Sequence, residues 1–293
     1  MSDVALEPTR RAQRGRRDRS ANFYAYLVVS ITLALFFVLP LVWEAARSFQ
    51  PANLAAATPR GADFTHFTLG NYRAVFSQEH ILTNVLNSLV VAVGTALLTT
   101  IVATLAGYGL AKFRFRGSGL AFAAILLALM IPFQAVLTPL FIELNDMHLT
   151  NSLVGLILVY TTFNLPFGVF VMRNTFQQIP QELFESAEVD GAGVMTTLVR
   201  VLRPLIVPGL ATTAIFAFLY SWNEFLQALT FLETDSKLTL PVKLFDIDTS
   251  TYGAINYGYL SSGIVIAMVP CIVLYLALQR YYVQGLMSGA VKG

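Results

Sequence analysis

The sequence predicts an all-α integral membrane protein with six transmembrane helices. Composition is the first observation: 56% of the 293 residues are hydrophobic and 12% are charged, about half the charge of a soluble domain. The mean hydropathy of +0.64 agrees. The second is distribution, because uncharged runs recur along the chain and each reaches the ~20 residues that cross a hydrocarbon core. The third is backbone physics. In lipid every N–H and C=O must be paired within the segment, which for runs of this length means helices.

Residues 1–20 carry Arg10, Arg11, Arg14, Arg16, Arg17 and Arg19 without apolar periodicity and are expected to form a disordered basic arm. Residues 21–293 then form one six-span domain. The first run, 23–43, also resembles a signal peptide behind its basic region, but it is longer than a usual apolar core and lacks a small-x-small cleavage site, so a retained span is expected. Residues 44–83 hold the breakers Pro51, Pro59, Gly61 and Gly70 and read as an extramembrane loop. Further spans are predicted over 84–111, 117–142, 149–172, from 204 past Glu224 to about 232, and 259–278, with a second extramembrane segment at 233–257.

Charge fixes the expected orientation. With the N-terminus inside, fourteen of the nineteen Lys and Arg residues fall on the cytoplasmic side, as the positive-inside rule requires. Both termini are therefore expected in the cytoplasm, with the chain a multi-pass protein of a bacterial cytoplasmic membrane. Pro40, Pro132, Pro139, Pro166 and Pro270 lie within predicted spans. They suit helices that kink between two states, yet proline is also common in membrane helices.

One polar stretch between apolar blocks, residues 181–208, needs its own explanation. Pro180 suits a first helical position, where its missing N–H costs nothing. Glu182, Glu185 and Glu188 recur at i, i+3 along one face, with Asp190 beyond them. Leu183, Phe184, Ala187 and Gly191 form another, apolar face. Gly191 and Gly193 are expected to end this helix, and a second amphipathic piece over 194–202 leads to Pro204. An interfacial helix usually presents basic residues to lipid. An acidic one on the cytoplasmic side is repelled by anionic headgroups and suits a basic cleft on a partner protein.

The string ESAEVDGAGVMTTLVRVLRP resembles the EAA loop of binding-protein-dependent ABC importer permeases. The family pattern runs E-A-A-x-x-D-G-A, eight residues, then I-x-L-P, and Glu185, Ala187, Asp190, Gly191, Ala192 and Pro204 match it. Ser186 replaces an alanine, Val201 the isoleucine and Arg203 the leucine. YGLAKFRFRG, MIPFQAVLTPLF, SWNEFLQALTFL and the ending RYYVQGLMSGAVKG resemble the MalG-like branch of sugar permeases. The resemblance implies a cytoplasmic coupling helix within an EAA loop over 173–204, with Glu182, Glu185, Asp190 and Gly191 meeting an ATP-hydrolysing subunit. It also implies a second homologous permease as heterodimer partner, two ATP-binding subunits, and an extracytoplasmic solute-binding protein touching the outer loop 246–258. The tail 287–293 would contact the ATPase subunits.

No G-x-x-x-x-G-K-[ST] phosphate loop occurs, so no cofactor is expected in this chain; ATP and Mg would belong to the partner ATPase subunits. Three scattered histidines and a single cysteine, Cys271, offer neither a metal-ligand cluster nor a catalytic set. No enzymatic residues, metal or nucleic-acid partner are expected; lipid is. Glu224 is the one acid inside a predicted span, which marks it for function, though its distance from Pro204 places it at the outer interface. Tyr220, Trp222, Asn223 and Glu224 read either as an aromatic belt or as a sugar-facing patch. The expected function is a permease subunit of an ATP-driven carbohydrate importer. The alternatives are an ion-gradient-driven transporter, or a permease for another solute such as a glycerol phosphodiester.

Overall fold

The computed structural model describes residues 9–51, 67–113, 115–249 and 257–290, with side chains over 23–51, 67–113, 115–247 and 257–277. In chain order the helices are α1 (Thr9–Ser48), α2 (Gly70–Ser77), α3 (Ile81–Lys112), α4 (Ser118–Leu127), α5 (Phe133–Asp146), α6 (Leu153–Gln177), α7 (Gln181–Val189), α8 (Arg203–Asn223), α9 (Leu226–Phe231), α10 (Leu240–Thr249) and α11 (Tyr257–Ala290). Shorter turns intervene, and no strand occurs among the described residues. α1 begins inside the stretch expected as a disordered arm, where Arg, Ala and Gln are all good helix formers; residues 1–8 of that stretch lie outside the described residues.

Five described helices are long and apolar enough to cross a membrane: Phe23–Ser48, Ile81–Lys112, Leu153–Gln177, Arg203–Asn223 and Tyr257–Ala277. The predicted third span is instead broken. Ser118–Met130 and Phe133–Asp146 meet at an angle of 100°. Ile131 is extended (φ −80°, ψ 113°), as is Pro132 (φ −70°, ψ 140°). Proline disfavours the helical region for the residue before it and brings no N–H of its own. Hydropathy counts this run as one span because it registers composition and not chain direction. The fifth predicted span is also shorter than expected, since α8 stops at Asn223 and Glu224 turns extended (φ −69°, ψ 130°).

The chain divides into two compact units. In the first, Met1–Tyr72 with Asn256–Val265, buried Asn71 donates to the carbonyls of Ser48 (2.9 Å) and Gln50 (2.7 Å). Ser261 donates to Glu44 (2.8 Å), and the Arg47 guanidinium lies 4.9 Å from the Tyr257 ring centre.

The second unit, Arg73–Ile255 with Ile266–Gly293, is built on α3, α6 and α8. Without a hydrophobic drive between helices in lipid, close approach depends on small residues. A Cβ on Gly107 of α3 would lie 2.8 Å from the Arg173 backbone nitrogen, and one on Gly168 of α6 would meet Ala103 at 2.9 Å and Thr213 at 3.0 Å. These glycines let three backbones meet. At one end of the bundle, Asn84 and Asn87 donate to the carbonyl of Leu238 (3.0 Å each), and Ser88 accepts the Leu240 N–H (2.7 Å). Nearby, the buried Lys243 ammonium faces Asp246 (3.2 Å), Asp235 (3.4 Å) and Glu79 (3.4 Å). Burial pulls this lysine down, but the hydrogen bond to Asp246 and the charges of Asp235, Asp246 and Glu79 outweigh it and hold the ammonium above its ordinary range.

Candidate functional site

The acidic segment folds as the helix α7, seated on the end of the three-helix bundle opposite Lys243. Pro180 is the residue just before the helix (φ −53°, ψ 138°), one position earlier than expected, and Glu182 falls in the first turn, favourable to the helix dipole. Phe184 and Ala187 are buried, whereas Glu182, Leu183, Glu185, Glu188 and Asp190 are exposed. The apolar face is thus narrower than the sequence suggested: Leu183 and Gly191 do not join it.

Its C-terminus is closed by backbone bonds. The Ala192 N–H donates to the Ala187 carbonyl (2.9 Å) and the Gly191 N–H to the Glu188 carbonyl (2.9 Å), the paired pattern of a Schellman cap. Gly191 has φ 73° with open space around a Cβ, so backbone conformation and not crowding demands glycine there. Gly193 does not share that role. Its φ of −70° is open to any residue, and it precedes the next turn, Val194–Thr196. The chain then widens into a π turn, Thr197–Val201, closed by the Leu202 N–H on the Thr197 carbonyl (2.9 Å). Pro204 enters α8 in its first turn, where no donor is missed.

One apolar cluster joins this loop to all three spans. Phe184 of α7 and Leu198 and Leu202 of the π turn pack with Ala103 of α3, Met172 and Phe176 of α6, and Ile206 of α8. Tyr108 of α3 stands with its ring centre 5.5 Å from Phe176 and 6.2 Å from Phe184. The loop therefore cannot tilt without pressing on the bundle. Outside the cluster the loop exposes apolar groups as well as acids, with Val189 87% and Met195 64% exposed. Phe184 and Ala187 were legible from their i, i+3 spacing; Tyr108 and Lys112, which meet Phe184 from another helix, carried no local signal.

The second group of candidates is tied into the fold by its own contacts. Trp222 is 2% exposed, and its indole N–H donates to the Ala267 carbonyl (3.1 Å) while its ring stacks on Phe218. It offers no ring face. Asn223 is exposed and donates back to the Leu219 carbonyl (2.7 Å). Glu224 accepts the Tyr160 hydroxyl (2.8 Å) and the N–H groups of Gln227 (2.9 Å) and Ala228 (3.1 Å), so it caps the short helix α9. Tyr220 accepts from the Gln227 amide (2.6 Å). These contacts lock the end of α8 to α6 and α9. Residues 250–256 of the outer loop and 291–293 of the tail lie outside the described residues.

Among the described residues no group of three or more His, Cys, Asp or Glu side chains is placed to hold a metal ion. Residues 100–288 match the family model described as binding-protein-dependent transport system inner membrane component. The chain is 32% identical over 277 residues to the trehalose transport system permease protein SugB of Mycobacterium tuberculosis, covering 94% of this chain and 99% of that one. It is 33% identical over 264 residues to the arabinooligosaccharides transport system permease protein AraQ of Bacillus subtilis, covering 89% and 92%. A chain from the crystal structure of a bacterial ABC transporter involved in the import of the acidic polysaccharide alginate has the same fold, with a TM-score of 0.79, 22% identity, and 95% and 100% coverage.

Proposed function

We propose that this chain, which belongs to the binding-protein-dependent transport system inner membrane components, is one permease subunit of an ATP-driven carbohydrate importer. The observation that carries the proposal is the seat of α7: an exposed acidic helix whose Phe184 is buried in one cluster with residues of α3, α6 and α8. A push on its outer face is transmitted to three spans at once. In this reading Glu182, Glu185 and Asp190 dock on a separate ATPase subunit, and Gly191 with Ala187 and Ala192 keeps the helix end in register. Coupling of this kind needs a mechanical element that both sites bias.

The other partners follow from the same reading: a second, homologous permease completing the pathway, two ATPase subunits holding ATP and Mg, and an extracytoplasmic binding protein delivering solute. Both termini and α7 face the cytoplasm, consistent with the excess of Lys and Arg on that side. Carbohydrate is supported by the relatives named for trehalose and arabinooligosaccharide transport.

The test is uptake by cells carrying Glu185→Lys or Gly191→Val in place of the wild-type chain. Both variants are expected to insert at normal levels, leave solute capture by the binding protein intact, and abolish uptake. Normal uptake by either variant removes the coupling assignment.

A further inference from the structure

We infer that Arg173 is a positioning residue in the transport cycle, a role that rests on the importer reading above. Its guanidinium fastens α4, the first arm of the broken span, to the coupling cluster, so that α4 moves when α7 is pushed.

α4 is a rod between two joints. Before it, Gly117 stands at φ 91°. Beyond it, Ile131 and Pro132 are extended and the chain meets α5 at 100°. No residue of α4 is buried, and lipid supplies no hydrophobic drive to press it on its neighbours. Its place therefore depends on particular contacts. Ile125 packs against the cluster that holds Phe184, Met172 and Phe176. The Phe122 ring lies nearly parallel to Phe170 of α6, at 12° with ring centres 6.5 Å apart. The Arg173 guanidinium carbon stands 4.0 Å from the centre of the same Phe122 ring.

Arg173 lies near the end of α6, roughly 30 Å from its start, where a long basic side chain can put its charge among headgroups and water. It does not do so freely. Its Nε is buried without an acceptor, and among the described residues the ion pairs all belong to Lys243. A buried donor left unpaired is costly, and the attraction of a cation to an aromatic face offsets that cost. Only a planar guanidinium can stack in this way; the point charge of a lysine cannot. The other side of this turn is fixed. Met172, next in the chain, is fully buried in the coupling cluster. A Cβ on Gly107 of α3 would lie 2.7 Å from the Met172 Cβ and 2.8 Å from the Arg173 nitrogen. With no room to slide past α3, this turn of α6 passes a displacement of the cluster to Arg173, and through Phe122 to α4.

Cys271 is the sole cysteine, so Cys271→Ala gives a clean background for spin labelling. Labels at Leu120→Cys on α4 and Leu105→Cys on α3, both exposed positions, report their separation by pulsed electron resonance in the complete transporter. The probe is ATP with Mg and vanadate, compared with no nucleotide. The distance is expected to be narrow and to shift with nucleotide when Arg173 and Phe122 are intact. With Arg173→Met, Arg173→Lys or Phe122→Leu it is expected to broaden and to stop following nucleotide, whereas Phe122→Tyr, which keeps the ring face, restores the shift. In proteoliposomes the carbohydrate moved per ATP hydrolysed should fall about three- to tenfold in Arg173→Met, the loss of one cation–π contact, while ATP hydrolysis persists. Arg173→Met with Phe122→Leu should be no worse than either alone. A narrow distance that still follows nucleotide in Arg173→Met overturns the role. So does ATP hydrolysis lost in step with uptake, the mark of a plain structural prop. A wild-type complex that moves no carbohydrate with ATP overturns the importer reading instead; the width of the distance without nucleotide keeps the two failures distinct.

Discussion

The Lys112 ammonium nitrogen at the end of α3 lies 3.2 Å from the centre of the Phe184 ring on α7, and 3.4 Å from Gln181 Oε1. A cation over an aromatic face is an attractive contact, and here it clamps the acidic helix against the end of α3. Lys112→Gln should therefore loosen α7 without changing its acids. The expected result is uptake reduced but not lost, with faster backbone amide exchange over 181–189. Unchanged exchange there would show that the clamp contributes nothing.

Phe184 is the residue through which α7 is anchored. Phe184→Ala should cost about 3 kcal/mol locally, as for other buried aromatic truncations, and leave the helix free to move without moving the spans. Insertion is expected to persist while uptake fails. Phe184→Leu, which refills most of the space, should restore a measurable part of it. Equal uptake by both variants would contradict the anchoring role.

Gly191 sits at φ 73°, and a side chain there costs about 1–2 kcal/mol in the left-handed region. Gly191→Asn should be tolerated better than Gly191→Ala, and Gly191→Val worst. Because the surroundings of a Cβ are open, this order follows backbone preference and not size. A ranking by side-chain volume would refute it.

Trp222 is predicted by its burial to be a packing residue. Trp222→Phe should lose one hydrogen bond, about 0.5–1.5 kcal/mol, and lower thermal stability in detergent while leaving the KM for the transported solute unchanged. A shifted KM with unchanged stability would return Trp222 to the pathway.

For Lys243 the sign of the pH effect follows from its raised pKa. The folded form holds its proton more tightly than the unfolded chain does, so the stabilisation is complete below the ordinary lysine value of ~10.4 and is lost as pH rises through the higher folded value. Resistance of the 233–247 segment to proteolysis should stay level between about pH 7 and 10 and fall beyond. Lys243→Met should remove about 1–3 kcal/mol across that whole range and abolish the alkaline fall.

Spans were legible because hydrocarbon thickness imposes a length and a composition that any sequence window reveals. The break at Pro132 was hidden because the flanking residues are as apolar as those of an intact span; Ile131–Pro132 was its one local sign. The acidic face of α7 was equally plain from the spacing of Glu182, Glu185 and Glu188. What seats it was not, since Lys112 and Tyr108 come from a helix more than sixty residues earlier. The role of Trp222 stayed open for a related reason: position in a span does not say whether a ring meets solute or, as here, its N–H meets the carbonyl of Ala267. Glu224 drew notice as a lone acid, and its work as a cap for Gln227 and Ala228 was visible only once α8 was found to end before it.

The central claim is that this chain moves solute only as part of an ATP-driven assembly. The most direct measurement is to tag the chain in its own host, extract it in mild detergent, identify what co-purifies, and assay the material in liposomes. Recovery of an ATPase and a second multi-span permease, with uptake that requires ATP, is the result expected. Recovery of this chain alone, transporting along an ion gradient without ATP, would contradict the account.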